Sequence, residues 1–271
     1  MKCDLCPRKC LVDRKKGEKG ICGQTENLKV ARAALHFWEE PCISGDAGSG
    51  AVFFSGCPLH CVFCQNENIA NGTVGKEISL ERLVDIFLEL QEKRANNINL
   101  VTPGHFVPQI VKALDQARKE GLTLPVVYNT SSYETVDTIK MLEGYVDIYL
   151  PDFKYMSPVL SKKYSHAPDY AEVAKAAIAE MVRQTGKAVF VNGDEDNLIL
   201  SGTIVRHLTL PGCMADSMQI LKYLHDTYGD MIYISIMNQF TPLSNLEKYP
   251  ELNRRITDEE YDRMAEAFGL E

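Results

Sequence analysis

A regular alternation of short strand-like runs and helical patterns begins at residue 51 and constrains the fold more than any other feature of the chain. The predicted strands cover 51–54, 98–101, 125–128, 146–150, 205–210 and 231–236. Helical patterns follow at 79–95, 108–121, 134–144 and 170–186, and two more end near residues 229 and 269. Such strand-helix units predict an α/β fold with a parallel sheet and right-handed crossovers. Six units fit either an open doubly wound sheet or an incomplete barrel.

Both architectures place chemistry in the loops that follow the carboxyl ends of the strands. Composition limits what that chemistry acts on, because 29 Lys and Arg residues against 37 Asp and Glu residues give a net charge of −8. A negative field of this size repels phosphate backbones, so we expect no nucleic-acid partner. The start lacks a secretion signal and no window reaches the roughly 18 apolar residues of a membrane span. We therefore expect a cytoplasmic protein without a membrane partner.

Three of the nine cysteines lie in one short loop directly after the first predicted strand. Cys57, Cys61 and Cys64 have the spacing C-x3-C-x2-C, with an aromatic residue before the third. Three thiolates can hold one metal centre and leave a coordination position open, which is typical of reactive rather than structural sites. The alternatives are a zinc site completed by His60 and a loop of inert thiols.

This loop, at the head of six strand-helix units, resembles the cluster-binding loop of the radical S-adenosylmethionine (SAM) superfamily. The resemblance implies a partial (β/α)6 TIM-type barrel over residues 51–271. It also implies that Cys57, Cys61 and Cys64 hold a [4Fe-4S] cluster whose open iron binds SAM. Reductive cleavage of SAM would then give a 5′-deoxyadenosyl radical, so the chain is expected to be an oxidoreductase.

Motifs at later strand ends resemble, more narrowly, the activating enzymes of glycyl-radical proteins, such as pyruvate formate-lyase-activating enzyme. The Asp152-x-Lys154 element and the arginine of the fifth strand carry this likeness. The resemblance implies a SAM pocket formed by Thr102, Gly104, His105, Asn129, Ser131, Asp152, Lys154 and Arg206. The chain lacks the Gly-Gly-Glu motif of those enzymes and has Val101-Thr102-Pro103-Gly104 instead. It is closer to a group of activating-enzyme homologues.

The narrower resemblance implies a substrate and a partner. We expect hydrogen abstraction from a protein or peptide, and an electron donor such as flavodoxin or ferredoxin. Radical chemistry on a small molecule is the alternative within the superfamily. A two-cluster electron carrier without catalysis and a zinc-dependent interaction module are alternatives outside it.

Residues 1–50 form a cysteine-rich extension that differs in composition from the rest of the chain. Its second cysteine group, Cys3, Cys6, Cys10 and Cys22, offers four soft ligands. Four thiolates suit a zinc ion or a second iron-sulfur cluster equally well. His36 and Trp38 are interpreted as packing of this extension onto the barrel.

Overall fold

The computed structural model describes residues 2–194, 197–243 and 246–268. Among the described residues, nine strands form one sheet with a mostly parallel centre. They are β1 (Lys29–His36), β2 (Ser49–Phe54), β3 (Lys76–Glu77), β4 (Ile98–Val101), β5 (Val126–Thr130), β6 (Ile148–Pro151), β7 (Val189–Phe190), β8 (Ile199–Leu208) and β9 (Tyr233–Met237). The parallel strands pair in chain order, β2-β4-β5-β6-β8-β9. A doubly wound sheet would reverse its order at a switch point, so this winding is of the barrel type.

Most of the helices lie in the connections between successive parallel strands, whereas the first precedes β2 and the last follows β9. They are α1 (Pro41–Ser44), α2 (Glu67–Ala70), α3 (Leu80–Glu92), α4 (Val107–Lys119), α5 (Val136–Lys140), α6 (Pro158–Ser165), α7 (Tyr170–Thr185), α8 (Met214–Tyr228) and α9 (Asp258–Phe268). Among the described residues, no helix is long and apolar enough to cross a membrane.

Local sequence signals explain where the main helices begin. Ser79 caps α3 by accepting a hydrogen bond from the amide of Arg82, and Thr135 caps α5 in the same way. Leu83, Phe87 and Leu90 recur at helical spacing on α3 and are fully or almost fully buried. These side chains pack against β2 and β4, so burial of the helix face fixes the first unit and the loop that leaves β2.

The α/β fold with a mostly parallel sheet is confirmed, and the six predicted units are present. The third helix is shorter than predicted, because the chain tightens into turns after Lys140, where the amide of Leu142 bonds to the carbonyl of Ile139. The fifth parallel strand is longer than predicted and begins at Ile199. The last helical pattern extended to residue 269, which lies outside the described residues.

The sheet begins before residue 51, within the segment predicted to be a cysteine-rich extension. Strand β1 pairs antiparallel with β2 and with the short strand β3. Most side chains of β1 are only half-buried, so buried and exposed positions alternate weakly along the strand. The periodicity of apolar residues therefore gave little indication of a strand here. The first 50 residues therefore contribute a strand, flanked by β2 and β3, to the same sheet that carries the parallel units.

Candidate active site at the carboxyl ends of the parallel strands

A cavity of about 440 Å³ lies at the carboxyl ends of the parallel strands. The loop after β2, the ends of β5, β6 and β8, and the segment between β1 and α1 all contribute to its wall. The wall includes nine of the residues singled out from the sequence: Cys57, Cys61, Cys64, Thr102, Asn129, Ser131, Asp152, Lys154 and Arg206. The structure thus brings the cysteine loop and the polar strand ends to one space.

The cysteine loop turns sharply out of β2 through a glycine that no other residue could replace without strain. Gly56 has φ of +91°, in the left-handed region. A Cβ atom there would overlap the carbonyl oxygen of Cys22 and lie 2.6 Å from Cγ of Gln24. The chain of the N-terminal segment therefore packs directly on the start of the loop that carries Cys57.

The three thiols of this loop lie close together in a desolvated environment. Burial raises the pKa of Cys57 to about 12, and the neighbouring Cys61 and Cys64 contribute to the rise. Burial also raises the pKa of Cys64, although Lys154 opposes the shift. Metals bind the thiolate form of cysteine. A bound cationic centre would therefore stabilise the thiolates, which burial in the protein alone disfavours. Three such donors in the wall of one cavity fit a [4Fe-4S] cluster with one open coordination position.

His60 does not complete this site. Its ring Nε2 lies 2.7 Å from the carbonyl oxygen of Ile21, and Nδ1 lies 3.1 Å from Oδ1 of Asn71. Both nitrogens are thus engaged away from the three cysteines, which removes the basis for a zinc site formed by the loop and His60. The residue instead ties the loop to the N-terminal segment.

A network of charged side chains forms a further part of the wall, beside the cysteine loop. Arg206 on β8 donates from Nε to Oδ1 of Asp152 at 2.9 Å and from Nη2 to Oδ1 of Asn129 at 2.8 Å. Lys154 donates from Nζ to Oδ2 of Asp152 at 2.7 Å. Since the carboxyl ends of neighbouring parallel strands meet at one edge, residues from β5, β6 and β8 can form these contacts.

This network fixes the ionised state of its members. Burial alone would raise the pKa of Asp152, but the adjacent Arg206 and Lys154 outweigh it and lower that pKa. Burial alone would lower the pKa of Lys154, but Asp152 and then Cys61 outweigh it and raise that pKa. The cavity therefore keeps a fixed ion pair beside the cysteine loop, ready to orient a polar ligand.

Gly104 and His105 lie outside this cavity wall. His105 is buried and its Nε2 lies 2.7 Å from the carbonyl oxygen of Ser55, while its own carbonyl accepts from Arg14. Burial lowers the pKa of His105 to about 3. A Cβ atom on Gly104 would overlap the carboxylate of the buried Glu134. His105 thus ties the end of β4 to the N-terminal segment, whereas Gly104 allows the close approach of Glu134.

Sequence reasoning missed Glu39, whose carboxylate lines the cavity. It lies in the segment interpreted as packing, together with His36, which also reaches the wall. Oε2 of Glu39 accepts from Nη1 of Arg206 at 3.2 Å and from Nδ2 of Asn129 at 3.1 Å. The one available signal was a pair of acidic residues before Pro41, which gives no spatial information by itself. Trp38, by contrast, is 86% exposed and does not pack on the sheet.

The second cysteine group lies beside the first. Burial raises the pKa of Cys6 to about 12, and Cys22 and Cys10 are near enough to contribute. Burial raises the pKa of Cys22, with Cys3 and Cys10 among its neighbours. The amide of Ile21 donates to Sγ of Cys10 at 3.3 Å. The four thiols therefore share one region.

Among the described residues, no group of three or more His, Cys, Asp or Glu side chains is arranged around a single ion. An iron-sulfur cluster distributes its ligands over several iron atoms, so its cysteines do not converge on one point.

Comparison with known proteins identifies the family. The sequence model of the Radical SAM superfamily matches residues 51–197, just over half of the chain, and the chain belongs to that superfamily. Membership implies cleavage of SAM at an iron-sulfur cluster. The described strand order and the cavity at the strand ends agree with this assignment.

Individual relatives are more distant. An uncharacterized protein of Methanocaldococcus jannaschii is 27% identical and covers 99% of this chain, which spans 75% of that protein. Methylornithine synthase superposes with a TM-score of 0.53 at 14% identity, and the hydrogenase maturase HydG with 0.51 at 13%. SuiB of Streptococcus suis, solved with its precursor peptide, gives 0.51 at 11%. Each match covers 79% of this chain, which spans only 43% to 60% of those proteins. These likenesses concern the fold.

Proposed function

We propose that this protein is a radical SAM enzyme in which Cys57, Cys61 and Cys64 hold a [4Fe-4S] cluster. The observation that carries the proposal is the single cavity lined by these three cysteines and by the Asp152, Lys154 and Arg206 network. An electron carrier needs the three cysteines, but it does not need the charged network beside them. When bound, the cluster supplies the electron that splits the SAM sulfonium into methionine and a 5′-deoxyadenosyl radical.

The remaining wall residues bind and orient SAM in this proposal. Asn129 and Ser131 offer polar groups at the end of β5, and Thr102 offers a hydroxyl after β4. Arg206 donates hydrogen bonds to Asp152, Asn129 and Glu39 and so presents its guanidinium in a fixed direction. Fixed dipoles and charges of this kind orient a ligand without reorganisation and exclude water from the reacting atoms.

The hydrogen donor is proposed to be a protein or peptide, as for the activating enzymes that the strand-end motifs resemble. Phe37 and Trp38 support this assignment, because both are at least half exposed and directly precede the cavity residue Glu39. Exposed aromatic side chains beside a site are typical of surfaces that bind another chain. An electron donor such as flavodoxin or ferredoxin would supply the reducing equivalent.

Cys3, Cys6, Cys10 and Cys22 are proposed to hold a second metal centre, either a zinc ion or an iron-sulfur cluster. Two observations support this proposal: the four cysteines share one region, and Cys6 and Cys22 are buried, so their thiolates would be stabilised by a bound cation. This centre would order the first residues of the chain, where apolar side chains are few. Its position next to Gly56 would also steady the loop that carries Cys57.

The proposed function is tested by anaerobic reconstitution with iron and sulfide, followed by dithionite and SAM. The expected result is 5′-deoxyadenosine, measured by chromatography, from the wild-type protein and none from Cys57→Ser. Cys42→Ser is the matched control, since Cys42 is a partly buried cysteine outside both groups and should leave product formation intact. If the electron paramagnetic resonance spectrum of the reduced cluster does not change when SAM is added, the result would contradict the proposal and favour an electron carrier.

A further inference from the structure

The charge of the chain is divided unevenly along its length. Residues 1–22 contain seven Lys and Arg residues against three Asp and Glu residues, a net charge of +4, whereas the other 22 basic and 34 acidic residues give −12. A local positive field on an otherwise negative protein attracts an acidic partner. Five of the seven basic side chains are exposed to solvent: Lys2, Lys9, Lys15, Lys16 and Lys19.

The other two basic residues hold this segment on the rest of the protein. Arg8 donates from Nε to the carbonyl oxygen of Pro58 at 2.9 Å, within the cysteine loop. Arg14 is buried and donates to the carbonyl oxygen of His105. The exposed lysines therefore belong to a segment that is fixed beside the loop that carries Cys57.

Two short stretches of this segment, 9–11 and 19–21, lie side by side. A Cβ atom on Gly20 would lie 3.3 Å from Sγ of Cys10, and the amide of Ile21 donates to the same sulfur at 3.3 Å. Each stretch begins with an exposed lysine and ends with an exposed aliphatic residue. The four exposed side chains thus form one basic patch around Cys10, which consists of Lys9, Leu11, Lys19 and Ile21.

The composition of the basic patch is that of a protein-binding surface. Leu11 is 52% exposed and Ile21 is 49% exposed. Within the part of the chain that the structure describes, neither Lys9 nor Lys19 forms an ion pair. Apolar side chains flanked by uncompensated cations are suited to an acidic protein. No Phe, Tyr or Trp residue occurs before Phe37, so the segment has no such side chain on which a nucleic-acid base could stack.

We infer that the basic patch docks an acidic electron-carrier protein that reduces the cluster. The inference rests on the proposed function, since it requires a cluster in the cysteine loop. One electron passes from the reduced carrier to that cluster, and no bond forms or breaks. The carbonyl oxygen of Ile21 lies 2.7 Å from Nε2 of His60, so a docked carrier would contact a segment that is hydrogen-bonded to the cysteine loop.

The test uses two purified carriers of net negative charge, a flavodoxin and a plant-type ferredoxin. Their binding to the anaerobically reconstituted protein is measured by calorimetry at low salt. An exposed ion pair corresponds to no more than about 5-fold in affinity. Replacement of two attractions by two repulsions in Lys9→Glu/Lys19→Glu should therefore weaken carrier binding by about 10-fold or more.

The matched control is Lys93→Glu/Lys119→Glu, which changes the net charge by the same amount. Both lysines are exposed and lie at the ends of α3 and α4, before the next strands begin. This control should bind the carriers as the wild type does. The effect of the Lys9 and Lys19 substitutions should shrink at about 0.5 M salt, because salt screens exposed charges.

Leu11→Ser tests the apolar part of the patch independently of charge. Loss of buried aliphatic surface should weaken carrier binding by about 10-fold, and this loss should persist at high salt. The ratio of carrier-driven to dithionite-driven 5′-deoxyadenosine formation is a further readout, since dithionite is a small reductant that needs no docking surface. The ratio should fall in Lys9→Glu/Lys19→Glu and keep its wild-type value in the control.

The outcomes separate this inference from the proposed function. Wild-type protein that binds a carrier through the patch but forms no 5′-deoxyadenosine with dithionite would overturn the proposed function and support the docking surface. If the wild type does form it, equal carrier affinities in Lys9→Glu/Lys19→Glu and the wild type would overturn the inference alone. Failure of both carriers to bind the wild type would do the same. A single-stranded oligonucleotide that binds more tightly than either carrier, and is lost in the same variant, would overturn it in favour of a nucleic-acid surface.

Discussion

Replacement of Gly56 by alanine tests the contact between the N-terminal segment and the cysteine loop. The new methyl group would meet two obstacles, a left-handed backbone and the chain around Cys22 and Gln24. A left-handed residue with a Cβ atom costs about 1–2 kcal/mol. Insertion of a methyl group into a packed site adds about 1–3 kcal/mol. Gly56→Ala should therefore destabilise the protein by about 2–5 kcal/mol.

Gly144→Ala separates the two contributions. Gly144 has φ of +79°, and a Cβ atom there would have no neighbour within 4 Å. This variant carries the backbone cost without the collision, so the difference between the two variants should be about 1–3 kcal/mol. Urea unfolding of each reduced protein, followed by circular dichroism, gives the two free energies of unfolding.

The iron content of the reconstituted variants gives an independent readout. Because Gly56 directly precedes Cys57, displacement of the loop should lower the iron bound per chain in Gly56→Ala, whereas Gly144→Ala should bind iron as the wild type does. Equal unfolding free energies for the two variants would refute the packing argument. Normal iron binding by Gly56→Ala would refute the link between the contact and the cluster loop.

Two further predictions concern the groups behind the cavity. Burial raises the pKa of Glu134 to about 7 from 4.5, so its contribution to stability is present below pH 4.5 and is lost as pH rises through 7. Relative to Glu134→Gln, the wild type should thus lose about 3 kcal/mol between pH 4.5 and 8, measured by urea unfolding, and parallel pH profiles would contradict this assignment. Cys22→Ser should lower the total metal per chain, measured by elemental analysis, and weaken the retention of iron by the loop that carries Cys57. Cys213→Ser is the control and should change neither quantity. Unchanged metal content in Cys22→Ser would argue against a second centre.

The sequence predicts much of the fold because its strand-helix units are local. The helix over 80–92 has a capping serine and an apolar face, and three of the four residues of the strand at 98–101 are apolar, so each was evident without tertiary information. Strand β1 was missed because its half-buried side chains show little alternation. Tertiary pairing with β2, rather than its own pattern, makes it a strand.

The site was predictable where residues lie at strand ends and was missed where they do not. Asp152 and Lys154 follow β6, and Arg206 lies near the end of the neighbouring β8, so topology alone brings them together. Glu39 lines the cavity from the connection between the antiparallel strand β1 and the first parallel strand, β2. Glu39 and Arg206 are far apart in the sequence, and no spacing pattern predicts a contact between them.

The exposure of Trp38 has a practical consequence. It is the only tryptophan of the chain, it is 86% exposed, and it stands next to Glu39 at the cavity. An indole in water emits at long wavelength, and its emission shifts and changes in intensity when another molecule covers it. The protein therefore has its single tryptophan at the rim of its site, and selective excitation of that indole over the tyrosines would let docking of a second chain there be followed optically without a label.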